Sequence, residues 1–74
     1  MAVLRYKNLS RKSSVYLFES GRNFIRVQFL NSPNVYQYSY QKAGQKHVEM
    51  MKRLAVRGIG LNSYIKTVAN NLYD

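Results

Sequence analysis

The chain of 74 residues has no cysteine and no tryptophan, one proline, four glycines, one histidine and only three acidic residues. Without cysteine there are no disulfides and no thiolate metal sites, a composition that fits a reducing compartment. One histidine and two internal carboxylates, Glu19 and Glu49, leave little for catalysis. Paired-carboxylate hydrolysis needs two acids held close together, and metal sites need several converging His, Asp or Glu ligands. His47 and Glu49 are close in sequence, but two residues apart on a helix they point in different directions. No metal, cofactor or catalytic residue is therefore assigned. Gly58-Ile59-Gly60 lacks the spacing and the following lysine of a phosphate-cradling loop.

Long hydrophobic runs are also lacking. No apolar stretch approaches the ~20 residues of a membrane span, and the opening MAVLRYKNLSRKSS has no apolar signal core, so a cytoplasmic protein without a membrane partner is expected. A chain this short buries about 60% of its unfolded surface, enough for one thin two-layer core. We expect one domain over 1–74, with 1–12 a basic N-terminal segment that has room for partial flexibility and 5–14 the stretch whose composition permits fraying.

What is abundant is positive charge and tyrosine. Twelve Lys or Arg against three Asp or Glu give a net charge of +9. It is spread evenly: residues 1–37 hold six basic and one acidic residue (+5) and residues 38–74 six and two (+4). A hydrophobic fraction of 46%, including seven tyrosines, is enough to drive folding.

Periodicity supplies the elements. Asn23 to Leu30 alternates Ile25, Val27 and Phe29 with Arg26 and Gln28, a strand with one face on a core. Val35 to Tyr40 puts Tyr36, Tyr38 and Tyr40 on one face of another strand. Val15 to Glu19 supplies a third, in which Tyr16 and Phe18 compete with Val15 and Leu17 for the inner side. Turns are expected at Ser20-Gly21-Arg22-Asn23 and Asn31-Ser32-Pro33-Asn34. After Gly44, Val48, Met51, Leu54 and Ala55 recur at helical spacing up to a stop at Gly58. Leu61, Tyr64, Ile65, Val68, Ala69 and Leu72 form the apolar stripe of a second helix. The expected fold is α+β: a three-stranded antiparallel meander followed by two helices packed on one face of the sheet.

The order of these motifs over residues 10 to 65 resembles the KTSC domain family, small bacterial and phage domains also appended to some lysyl-tRNA synthetases. The resemblance rests on Ser13-Ser14 before a short strand, Ile25-Arg26-Val27-Gln28-Phe29, Val35-Tyr36-Gln37-Tyr38, and Gly58-x-x-Leu61-Asn62-x-x-Ile65. The chain departs from the family at Pro33, where a Gly turn is usual and one residue fewer, and at Val56, where a Ser usually precedes the glycine. The resemblance implies this fold and a nucleic-acid-binding module, not an enzyme.

The strongest functional signal is basic. Lys42, Lys46, Arg53 and Arg57, at offsets 0, 4, 11 and 15, keep to one side of the first helix with Lys52 beside them. Arg5, Lys7, Arg11, Lys12, Arg22 and Arg26 add charge from the N-terminal segment and the sheet. An ordinary solvated helix face mixes signs in i,i+4 pairs, whereas here Glu49 is the sole acid among the cations. Such repulsion is relieved by a polyanion. Of the tyrosines, Tyr38 is expected to be the most buried and Tyr40 the best placed to reach solvent and stack on an unpaired base. His47 is read as a half-exposed helix histidine beside Lys46; a minimal nuclease with His47 as base is the least favoured reading.

The expected function is nucleic-acid binding through phosphate contacts, with RNA or single strands favoured, by a monomer or homodimer. The alternative is a phage or mobile-element protein that docks its basic face on an acidic patch of a host protein or nucleoprotein, in the host cytoplasm, and inhibits it.

Overall fold

The structure, a computed structural model, describes residues 3–9, 11, 14–30 and 32–74. It is α+β, as expected, but the sheet has four strands: β1 (Leu4–Arg5), β2 (Val15–Ser20), β3 (Phe24–Phe29) and β4 (Val35–Ser39), antiparallel in the order β1-β2-β3-β4. Helices α1 (Gln45–Arg57) and α2 (Leu61–Thr67) follow. Ile25 and Val27 of β3, Phe18 of β2 and Tyr38 of β4 share one core with Val48, Met51 and Ala55 of α1 and Leu61 and Ile65 of α2. Both helices thus cover one face of the sheet. The other face, with Arg26, Gln28, Val35 and Gln37, stays open.

The competition for the inner side of β2 is resolved by a bulge. Val15 pairs with Phe29 and Leu17 with Gln28, so two steps on β2 answer one on β3, and Tyr16 is the extra residue. The bulge lets Val15 and Phe18 both face the core, although they are three apart, and it turns Tyr16 outward.

The segment whose composition permits fraying is partly tied to the fold. Leu4 pairs with Phe18 and Arg5 with Leu17, and Tyr6 is buried. The Tyr6 hydroxyl accepts the backbone N–H of Leu61 at 3.3 Å. That N–H opens α2, whose N-cap, Gly60, makes no side-chain cap, so Tyr6 satisfies a donor the helix leaves free. Leu9 donates its N–H to the Gly58 carbonyl at 2.7 Å. Gly58 ends α1 in the left-handed region (φ 81°) with its N–H on Leu54, as expected. A Cβ there would lie 2.6 Å from Cβ of Lys7, so glycine is required by conformation and by the close approach of the N-terminal segment. At the opposite edge, the Asp74 N–H donates to the Gln37 carbonyl at 2.7 Å and Tyr73 packs edge-on against Tyr36 and Tyr38, covering the outer side of β4. Of the two expected turns, Asn31 lies outside the described residues, and the Asn34 N–H donates to Ser32 Oγ.

One expectation about the second helix is corrected. Leu61, Ile65 and Ala69 are buried and Tyr64 and Leu72 half-buried, but Val68 is 44% exposed. The cause is local: α2 ends at Thr67, the N–H groups of Val68 and Ala69 both reach the Tyr64 carbonyl, and the wider five-residue turn closed by Ala69 breaks the helical stripe, leaving Val68 outside and Ala69 in the core.

Ile65→Asp should abolish the cooperative melt, since a buried unpaired carboxylate costs several kcal/mol against a total stability of about 5, whereas Val68→Asp should melt within a few degrees of wild type. Gly58→Ala should lower stability by about 1–2 kcal/mol from the left-handed backbone alone, more if Lys7 cannot move, as read by urea denaturation.

Candidate nucleic-acid interface

On α1 the buried residues Val48, Met51 and Ala55 take one side. Lys46, Met50, Arg53 and Arg57, spaced by four, three and four, take the other, and all four are exposed. Lys42, also exposed, precedes the helix in the turn after β4. The helix holds Lys46, Lys52, Arg53 and Arg57 against Glu49, four positive and one negative, a net +3.

Glu49 balances this stripe only in part, lying close enough to Arg53 to feel its charge but forming no salt bridge with it. Its carboxylate accepts the Tyr40 hydroxyl at 2.6 Å and pairs with Lys52 at 2.9 Å. The hydrogen bond from Tyr40, followed by that from Lys52, holds the Glu49 carboxyl below the usual carboxylate range, and the same contact raises the Tyr40 phenol. Among the described residues, Lys46, Arg53 and Arg57 form no salt bridge. Nor is the helix start neutralised: its first turn has no acid and Gly44 provides no side-chain cap. Lys46 thus sits beside the positive end of the helix dipole, which costs roughly 0.3–1 kcal/mol.

Other basic residues are engaged or placed elsewhere. The Lys52 side chain, 18% exposed, also donates to the Arg22 carbonyl at 3.2 Å and lies 5.6 Å from the centre of the Tyr40 ring. Arg26, on the open sheet face, pairs with Glu19 at 3.0 Å and donates to Gln37 at 2.8 Å, with its guanidinium 4.6 Å from the centre of the Phe24 ring. Arg5 and Lys7 line a shallow groove with Tyr16 and Leu30, the Arg5 guanidinium 5.8 Å from the Tyr16 ring centre. Arg11 and Arg22 are exposed, and Lys12 and Ser13 lie outside the described residues. The expected basic residues therefore do not form one patch; the α1 stripe and the N-terminal groove are its two coherent parts.

Tyr40 was expected to reach solvent, and here the structure differs. It is half-buried, its hydroxyl taken by Glu49 and one ring face approached by Lys52, because it follows β4 directly and turns under α1. The exposed rings are Tyr16 and Tyr73, neither of which sequence reading selects; the signal for Tyr16 is the failure of Val15-Tyr16-Leu17-Phe18 to alternate. Tyr38 is the most buried of its strand face, as expected.

His47 is half-buried, its Nδ1 2.7 Å from the Tyr64 hydroxyl, which bridges α1 and α2. His47 and Glu49 point to different partners, and among the described residues no three His, Asp or Glu side chains converge. No described helix is long and apolar enough to cross a membrane. No family model, curated protein or solved structure matches this chain.

Titration should follow these contacts. Asp74, like Glu49, is held low, by Gln37 and then Ser39. Depressed acids contribute stability above their unfolded values near 4, so it should be lost as pH falls through the lowered folded values, and Glu49→Gln should flatten that acid limb. At the other extreme, burial, with Tyr36 and Tyr73 nearby, pushes Tyr38 up to about 12. A raised tyrosine contributes stability below its unfolded value near 10, so about 2 kcal/mol should be lost between pH 10 and 12, and thermal melts of Tyr38→Phe should fall less steeply there.

Proposed function

We propose that this chain is a small nucleic-acid-binding protein, not an enzyme, that grips phosphates with the outer face of α1. The observation that carries this reading is the use of the acids. Glu19 is paired with Arg26, Glu49 with Lys52 and Tyr40, and Asp74 with Gln37 and Ser39, while Lys46, Arg53 and Arg57 stand exposed on one helix side. A row of cations held against its own repulsion, beside an unneutralised helix start, matches a row of phosphates. Lys42, in the turn before α1, adds a cation close enough to Asp74 to lower its carboxyl, and the Arg5–Lys7–Tyr16 groove offers a second contact with one stackable ring. RNA or single strands are favoured, because the exposed Tyr16 ring offers a face to an unpaired base and the seven-residue α2 is short for reading base edges in a duplex groove.

We read the resemblance to KTSC domains as one of fold. Gly58, Leu61 and Ile65 cap a helix and fill the core, whereas the cations of α1, within the span that resembles the family, are not among the motif residues that carry the resemblance.

The double variant Lys46→Gln/Arg53→Gln removes two charges without opening a cavity. Its melting temperature should hold or rise, while the slope of log K against log salt for a single-stranded oligonucleotide should shrink by about 0.7 per residue. Unchanged affinity and slope would exclude this helix as the contact face. No binding of RNA or DNA by the wild type, with saturable binding of one acidic host protein, would support the inhibitor reading instead.

A further inference from the structure

A second feature owes nothing to charge. Between the β3–β4 end of the sheet and the turn after α2 lies an open cleft of about 460 Å³, within the range of small-ligand sites. Its walls include Tyr36 and Tyr73, whose rings meet edge-on with centroids 5.1 Å apart, and its polar lining includes Ser14, Asn70 and Asn71. At its base is Tyr38. This side chain is 2% exposed, yet among the described residues its hydroxyl has no hydrogen-bond partner. No polar side-chain atom among the described residues is both sealed from solvent and unpaired, so the Tyr38 hydroxyl must open onto the cleft it lines.

The contrast with the other buried tyrosines is informative. Tyr6 reaches the Leu61 N–H and Tyr40 reaches Glu49. A buried phenol normally finds a partner, whereas the Tyr38 hydroxyl, on the most buried ring of its strand face, has none among the described residues and opens onto the cleft. Burial keeps this phenol protonated to about pH 12, so at neutral pH it both donates and accepts. Asn70 and Asn71, both exposed, carry amide donors and acceptors with no partner among the described residues. None of the residues lining the cleft is charged, so it offers nothing to a phosphate or a carboxylate.

We infer that this cleft binds an unpaired nucleobase: a flat, uncharged heteroaromatic ring stacked against Tyr36 or Tyr73, with its polar edge on the Tyr38 hydroxyl and the Asn70 and Asn71 amides. The same chemistry is offered by a base in a single strand and by a free nucleoside, and only the choice of the strand rests on the nucleic-acid reading above.

Two single-stranded oligonucleotides of equal length separate the claims, one with bases and one abasic with the same phosphates. The wild type should bind the base-bearing strand roughly tenfold more tightly. Tyr38→Phe and Asn70→Ala/Asn71→Ala, which preserve the ring and change exposed side chains, should each reduce that preference while leaving the salt slope and the melting temperature unchanged. Equal binding of the two strands would overturn the base site and leave phosphate binding standing. If neither strand binds, the nucleic-acid reading fails and free nucleosides decide the cleft: shifts of the Tyr36, Tyr38 and Tyr73 ring resonances that Tyr38→Phe weakens would uphold it, and unshifted spectra would overturn it.

Discussion

Everything in this fold answers to one shortage: a four-stranded sheet has to be covered by a thirteen-residue helix and a seven-residue helix. Aliphatic side chains alone do not fill that layer, and tyrosines complete it. A tyrosine brings a large apolar area together with a hydroxyl that must be satisfied. Tyr6 uses its hydroxyl to cap α2, Tyr40 to fix Glu49 and Tyr64 to join His47 across the helix pair. Three of the phenols packed in or against the core therefore also position the helices, and the most buried of the tyrosine strand, Tyr38, opens onto a cleft.

The same economy shapes the surface. Each of the three acids is drawn into a hydrogen bond that serves the fold: Glu19 across the open sheet face, Glu49 between α1 and the end of β4, Asp74 along the β4 edge. Only Glu49 reaches the outer face of α1, where it meets the charge of Arg53 while its hydrogen bond and salt bridge go to Tyr40 and Lys52. The charge pattern of that helix is thus tied to the packing beneath it, and the site follows from where the fold spends its acids.

Much of this was legible in the sequence where period and punctuation agree. The alternation of Ile25, Val27 and Phe29, the tyrosine strand and the span of α1 from Gly44 to Gly58 all appear as read, whereas of the cations expected along α1 Lys42 precedes the helix and Lys52 turns to Glu49. What escaped reading depends on tertiary context. β1 has two residues, too few to show a period, and it exists because β2 offers an edge and Tyr6 a buried anchor. The bulge at Tyr16 breaks a pattern that seemed only ambiguous, and Val68 continues a helical stripe past the point where the helix has ended. Tyr40 resembles a strand-end aromatic until the Glu49–Lys52 pair closes over it. The cleft was invisible because Asn70 and Asn71 reach the tyrosine strand only through the turn after α2.

Contact between the outer face of α1 and phosphate is tested by mapping backbone amide shifts on titration with a short single-stranded oligonucleotide. Among the helices and the open sheet face, the largest shifts should fall on Lys42, Lys46, Met50, Arg53 and Arg57, with little change at Leu17, Gln28 and Val35. Shifts concentrated on that sheet face, with α1 silent, would contradict it.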